Sequence, residues 1–173
     1  MKIEGSYTIK APRARLFALM IDPAILQRCM PGCEALEETG EHAYNVKLKA
    51  GVGSIKGLFS GAIKLSDVRA PEHYQMNVDG KGAPGFLKGV GTLALSEAGE
   101  DTVINYAGDV SVGGTLASVG QRMIQSTAKM MAGQFFAALD AEMQAILKAE
   151  ETGEPYTPPK QGILRNTFRQ LSK

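Results

Sequence analysis

Residues 113–151 read GGTLASVGQRMIQSTAKMMAGQFFAALDAEMQAILKAEE, and the reading of this stretch decides the fold. From Thr115 to about Ala149, behind the Gly113-Gly114 break, apolar residues recur at helical spacing. Roughly 35 helical residues span about 50 Å at a rise of about 1.5 Å each, enough to cross a whole domain. Leu116, Val119, Gly120, Met123, Ile124, Thr127, Met130 and Met131 share one side of the helical wheel, opposite Ser118, Gln121, Arg122, Gln125 and Lys129. Beyond Gly133 the apolar set becomes Phe135, Phe136, Leu139, Met143, Ile146 and Leu147, turned by about a third of a revolution. Either the helix bends near Gly133 or its halves face different surfaces. The first half mixes flexible thioethers with Ala117, Gly120 and Ala128. Such a face serves equally as plain core against a sheet or as the roof of a cavity.

The chain upstream supplies the sheet. Residues 2–10 alternate, with Ile3, Gly5, Tyr7 and Ile9 on one face, and read as a half-buried strand. Ala11-Pro12 breaks it, Leu16, Phe17, Leu19 and Met20 follow at helical spacing, and Pro23 opens a second short helix that ends at Met30-Pro31-Gly32. Strands are expected over about 33–39, 42–50, 55–68, 73–80, 85–97 and 101–112. The turns between them fall at Gly40, Gly51-Val52-Gly53, Ala70-Pro71-Glu72, Gly82-Ala83-Pro84 and Gly99-Glu100-Asp101. Tyr44, Val46, Leu48, Phe59, Ile63, Leu65, Tyr74, Met76, Val78, Leu87, Leu93, Leu95, Ile104, Tyr106 and Val110 fall on the buried face. Glycines 57, 61, 89, 91 and 108 interrupt these strands, as in a sheet that curls. The result is an α+β fold in which one strongly bent antiparallel sheet, with two short helices after its first strand, is covered by the long C-terminal helix. A curved sheet gripping a helix encloses a hollow where the helix does not fill the concavity.

The 173 residues, 44% hydrophobic, fit one domain with an appendage. The domain is expected over 1–149, a Pro-rich linker over 150–162 and a basic amphipathic tail over 163–173. The net charge of +1 is divided unevenly: residues 160–173 carry Lys160, Arg165, Arg169 and Lys173 with no acid, leaving fifteen cations against eighteen acids elsewhere. A slightly acidic body argues against nucleic acid as a partner. No long uncharged apolar run and no N-terminal apolar segment of a signal peptide occur, so a cytoplasmic protein is expected. In the tail, Ile163, Leu164, Phe168 and Leu171 alternate with Arg165, Arg169 and Lys173, a pattern suited to the inner face of the cytoplasmic membrane or to a groove on a partner protein. A tail that packs on its own domain or stays unfolded is the third reading.

Catalytic and metal-binding sets are sparse. Cys29 and Cys33 are spaced C-x3-C rather than C-x-x-C, and His42 and His73 lie in expected turns, so free thiols and no metal are expected. Tyr44, Tyr74, Tyr106 and Thr127 are the main polar groups of the inward face, and none forms a His-carboxylate or paired-carboxylate set. The glycines of GKGAPGFLKGVG do not sit between a strand and a helix, so they suit curvature rather than phosphate binding. A non-enzymatic protein is expected.

The segments IEGSYTIKAPRARLFALMIDP, CMPGCEALEE, GSIKGLFSG, GKGAPGFLKGVGTLAL, GGTLASVGQRM and QFFAAL occur in this order over roughly residues 1–145. In these the chain resembles the carbon monoxide dehydrogenase G-subunit family of the START-like, helix-grip (SRPBCC) superfamily. The resemblance implies a seven-stranded helix-grip fold with an apolar cavity, no intrinsic cofactor, and a quinone or other lipid as bound ligand. It also implies association with a molybdenum hydroxylase of the carbon monoxide dehydrogenase type and peripheral attachment to the cytoplasmic membrane. Carried over by position, Phe17, Met20, Leu26 and Met30 would stand near the cavity entrance. Phe59, Ile63, Met76, Ile104 and Tyr106 would line its floor and walls, and Met123, Thr127, Met130 and Met131 its roof. A ligand-free recruitment or maturation adaptor for the same enzyme is the alternative, and a small hydrolase or cyclase on this fold the third.

Overall fold

The computed structural model describes residues 1–159. β1 (Lys2–Ile9) leads into α1 (Arg13–Met20) and α2 (Pro23–Cys29). Six strands follow: β2 (Cys33–Gly40), β3 (Ala43–Val52), β4 (Ile55–Arg69), β5 (His73–Gly82), β6 (Gly85–Ala98) and β7 (Asp101–Gly113). A 3-10 segment, Gly114–Val119, then precedes α3 (Gln121–Thr152). The strands form one antiparallel sheet in the order β1-β7-β6-β5-β4-β3-β2, the α+β architecture expected. Every neighbour pair from β2 to β7 is a hairpin, and only β1 crosses, because α1 and α2 carry the chain from one edge of the sheet to the other.

Local chemistry sets the boundaries. Asp22 accepts a hydrogen bond from the Ala24 N–H at 2.9 Å, and Pro23 occupies the first turn of α2, where a missing N–H costs nothing. The β3–β4 turn is tighter than expected, since pairing continues to Val52↔Ile55 and leaves only Gly53-Ser54 outside the ladder. The long helix differs more. It does not start at Thr115: Gly120, at φ 90°, lies in a region a side chain rarely enters, and it separates the 3-10 segment from α3. The far end extends past Ala149 to Thr152. Of the two alternatives at Gly133, an unbroken helix with differently facing halves is observed: Phe136, Leu139 and Met143 are buried, whereas Met123 and Met130 are exposed.

The same contrast divides the domain. Its core lies under the second half of α3, where Phe136, Leu139 and Met143 meet Leu16, Phe17 and Met20 of α1, Ile25 and Leu26 of α2, and Tyr44, Tyr74, Leu93, Leu95 and Ile104 of the sheet. Polar groups in this region are matched: Tyr44 donates to the Ile21 carbonyl at 2.9 Å, and the buried Thr102 hydroxyl donates to the Ala11 carbonyl at 2.8 Å. The sheet reaches around this core by coiling at glycine. A Cβ placed at Gly61 would stand 2.6 Å from the Asp79 carbonyl oxygen, so β4 and β5 approach there only because a side chain is missing.

The expected linker is held at its start. After Thr152 the chain returns to α2, where Tyr156 contacts Arg28 and Glu142. Residues 160–162 and the tail 163–173 lie outside the described residues.

Gly61→Ala is expected to destabilise by about 1–3 kcal/mol, the usual cost of overpacking against a backbone that cannot move far. Gly133→Ala, whose Cβ would meet nothing within 4 Å, is expected to stabilise by about 0.5–1 kcal/mol through helix propensity. Urea denaturation followed by circular dichroism reads both, and equal shifts of the same sign would contradict the assignment of Gly61 to close strand approach.

Candidate functional site

The register places successive rows of side chains on the concave face, and these rows differ in cover. Toward the α1–α2 end, Tyr74 pairs with Leu93, which pairs with Tyr106, and Leu95 pairs with Ile104; Tyr74, Leu93, Leu95 and Ile104 are buried. Toward the β3–β4 and β5–β6 turns, the same face carries Leu48, Ile63, Met76, Val78, Leu87 and Val110, all half-buried. Strand alternation forces these side chains inward, yet part of their surface stays accessible. The first half of α3 does not seal them: Ile124 is buried there, Thr127 and Met131 are half-buried, and Met123 and Met130 are 45% and 38% exposed. Beside the packed core, the concave face thus keeps accessible apolar surface under the first half of α3.

The thirteen residues assigned to the ligand site do not come together as a set. Ile63, Met76 and Tyr106 on the sheet and Thr127 and Met131 on α3 stand half-buried on the concave side, and Met30 is half-buried beside α2. Phe59 is 7% exposed. Phe17, Met20, Leu26 and Ile104 belong instead to the packed core, Met20 and Ile104 with no accessible surface at all. They are packed because α1 and α2 fold onto the sheet and fill that end. Met123 and Met130, expected as roof residues, are largely exposed, at 45% and 38%. A Cβ at Gly53 would lie 3.0 Å from the Met123 sulfur, so Met123 rests against the β3–β4 turn at the rim. Leu48, Val78, Leu87 and Val110 are half-buried inward-facing residues that the resemblance left out, although strand alternation had already turned them inward.

Aromatic packing fixes the boundary of the core. The Phe136 ring stacks on Tyr106 at 5.4 Å and on Tyr7 at 5.8 Å, and Phe135 meets Phe136 edge-on at 5.3 Å. Tyr106 lies directly over Gly5 of the neighbouring strand, the space a side chain there would need. Tyr7 and Tyr74 are both raised above the ordinary phenol range, chiefly by burial, so neither supplies a proton acceptor near neutral pH.

One buried carboxylate escaped the sequence reading. Glu142, 3% exposed, accepts from Arg28 Nε at 2.8 Å and Arg28 Nη2 at 3.2 Å, and its second oxygen also accepts from the Tyr156 hydroxyl. The bond to Glu142 raises the Arg28 guanidinium further, while burial and then Glu142 push the Tyr156 phenol up to about 12. The position was legible, because Glu142 falls between Leu139 and Ile146 on the apolar side of α3. The carboxylate is turned to α2, and its bonds are consumed in joining α2, α3 and the returning chain.

Cys29 and Cys33 are free thiols. Burial pushes Cys29 up to about 12 and raises Cys33 as well, so both are poor nucleophiles. Among the described residues no group of three His, Cys, Asp or Glu side chains could hold a metal ion. None of their helices is long and apolar enough to cross a membrane.

Residues 5–144 match the model of the CoxG family, described as the G-subunit of carbon monoxide dehydrogenase. A conserved protein from Geobacillus kaustophilus is 33% identical, superposes with a TM-score of 0.80, and the alignment covers 86% of this chain and 97% of that one. Two more distant solved structures share the fold. The ZhuI aromatase/cyclase from Streptomyces sp. R1128 is 14% identical with a TM-score of 0.67, over 87% of this chain and 97% of that chain. A START superfamily protein from Mycobacterium smegmatis is 12% identical with a TM-score of 0.59, over 80% and 94%. No curated protein matches the sequence.

The buried Cys29 thiol gives the packed end of the molecule a pH signature. A folded-state value near 12 against 9.0 for the free thiol means that the native protein keeps a proton the unfolded chain releases. The contribution of this thiol to stability is therefore fully present below about pH 9 and is lost as pH rises toward 12, with a limiting slope of about 1.4 kcal/mol per pH unit. The loss of unfolding free energy between pH 8 and 10.5, read by urea denaturation, should be about 1–2 kcal/mol smaller in Cys29→Ala than in the wild type, whatever that variant's starting stability.

Proposed function

We propose, for a chain that belongs to the CoxG family, that it is a non-catalytic accessory protein that carries a lipophilic molecule. The cargo is a quinone-like or other lipid molecule, and the recipient or donor is a molybdenum hydroxylase of the carbon monoxide dehydrogenase type. The observation that carries this reading is the row of half-buried Leu48, Ile63, Met76, Val78, Leu87 and Val110 on the concave face, beside a core that is otherwise tightly closed. An apolar ligand there removes accessible hydrocarbon from water on both sides. Burial of roughly 200–300 Å² would supply about 5–8 kcal/mol before the costs of binding, without any buried charge.

Three of the buried polar groups are engaged in structural bonds. The Tyr44 and Thr102 hydroxyls donate to main-chain carbonyls, and Glu142 is held by Arg28 and Tyr156. The chemistry open to this site is extraction and presentation. Met123 against Gly53 stands at the rim, where a flexible thioether yields to a passing ligand at small cost. The basic tail, Ile163, Leu164, Arg165, Phe168, Arg169, Leu171 and Lys173, would bring the domain to an anionic membrane surface, where such cargo resides.

Organic extraction of the freshly purified full-length protein, followed by mass spectrometry, tests the cargo. The wild type and Val90→Trp, which adds bulk on the outer face, should both yield a lipid or quinone. Val78→Trp, which fills the hollow, should yield little or none; an equal yield from Val78→Trp would place the molecule elsewhere. For the tail, co-sedimentation with phosphatidylglycerol vesicles should fall about tenfold or more when residues 160–173 are removed. Equal binding by both forms would sink the membrane assignment and leave the cargo result standing.

A further inference from the structure

The outer face of the sheet is as uneven in charge as the inner face is in cover. Strand alternation and register place Lys47 and Lys49 of β3, Lys56 and Lys64 of β4, Lys81 of β5 and Lys88 of β6 on this face, all exposed. Asp79 is the one acid among them on these rows of β3 to β6. Every ion pair among the described residues is made by an arginine or histidine, namely Arg13, Arg15, Arg28, His42, Arg69 and His73, so these lysines have no acidic partner there. Like charges gathered on one sheet face repel one another, a cost with no return inside the domain.

Three exposed apolar side chains stand among the lysines: Leu58 at 49%, Phe86 at 47% and Val90 at 51%. Between them the outward residues of β4 are small, Ser60 and Ala62, and the surface sinks into two furrows of about 520 and 440 Å³. Lys47 and Lys81 flank the first, Lys64 and Lys88 the second, and Ala62 and Asp79 belong to both. Glu37 of β2 and Asp109 of β7 close their outer ends. From Lys56 to Ser66 and across four strands, this patch measures roughly 33 by 19 Å, about 600 Å², close to one side of a specific protein interface.

We infer that this lysine face is the docking surface for an acidic, partly apolar ridge on a partner protein. Charge complementarity sets the sign of the partner. The relief sets its kind: a protein ridge can fill two furrows, whereas a bilayer surface is flat. Phe86 lies over Gly113, along the sheet, rather than projecting as a membrane anchor does. Asp79 between the furrows would meet a negative group in any continuous polyanion, while a folded partner can offer it a donor. The inference rests on the accessory-protein reading for the existence of a partner and uses neither the hollow nor the tail.

The probe is a molybdenum hydroxylase of the carbon monoxide dehydrogenase type, purified from the same cells and titrated against the full-length protein at low salt. Lys47→Glu, Lys81→Glu and Lys88→Glu combined should weaken binding about tenfold or more. Lys10→Glu, Lys129→Glu and Lys148→Glu combined carry the same change in net charge elsewhere and should leave it nearly unchanged. Circular dichroism and unchanged urea midpoints confirm that both variants are folded. Equal binding by the first variant and the wild type overturns the docking face alone. Absence of binding by the wild type overturns the accessory reading and the docking face with it. Loss of phosphatidylglycerol vesicle binding in the first variant, with hydroxylase binding retained, reassigns the face to lipid and also overturns the inference.

Discussion

Close approach of β4 and β5 at Gly61 is the constraint on which the remainder depends. With the Asp79 carbonyl where a Cβ would stand, the sheet bends toward its own concave side and can reach around a single helix. A flat sheet of seven strands would leave α3 covering only a strip of it. The bent one brings both β1 and the β3–β4 turn to the same helix, as shown by the bond from Gln125 to the Lys2 carbonyl and by Met123 against Gly53. Enclosure therefore comes from the backbone, and side chains decide only how much of the enclosed space is filled.

That filling is asymmetric because α1 and α2 occupy one end. Their Leu16, Phe17, Met20, Ile25 and Leu26 complete a core with Phe136, Leu139 and Met143, and the Arg28–Glu142–Tyr156 cluster locks α2 to α3 outside it. Arg15 paired with Glu150 adds a second tie, between α1 and α3. At the other end the 3-10 segment and the start of α3 bury Leu116 and Ile124, while Leu48, Val78 and Val110 stay half-buried. One end of the helix is anchored by burial and charge, and the other rests at a rim of methionine and glycine. The division suits the carrier role proposed above, which needs a rigid end to hold the fold and a compliant end that could admit a ligand.

The strands were legible nearly to the residue because one face is wet and the other apolar, so alternation is strong and turn residues punctuate it. The helix was less legible at its start. Leu116 and Val119 continue the apolar spacing across Gly120, and the spacing cannot register that the glycine adopts φ 90°. The site was partly legible. Inward direction follows from register and identified Ile63, Met76 and Tyr106, but depth does not, and Met20 and Ile104 share that direction while being wholly enclosed. Depth depends on where α1 and α2 settle, a tertiary fact that strand periodicity does not carry. Met123 and Met130 illustrate the opposite failure, an apolar stripe on a helix too long for the sheet to cover all of it.

Charge follows the same geometry. Setting aside the six outer-face lysines with Asp79, and the four cations of residues 160–173, nine cations stand against seventeen acids in the remaining chain. Those acids include Glu72, Glu97, Glu100 and Asp101 at the β4–β5 and β6–β7 turns, and Glu150, Glu151 and Glu154 where α3 ends. A net charge of +1 thus conceals a lysine face on the outside of the sheet, acids around the closed end of the core, and a basic tail following them in sequence. Long-range fields of this kind orient a protein before contact, and they do so without affecting an uncharged interior. The apolar concave face and the charged exterior can therefore evolve separately, the first tuned to a ligand and the second to the surfaces between which that ligand would be moved.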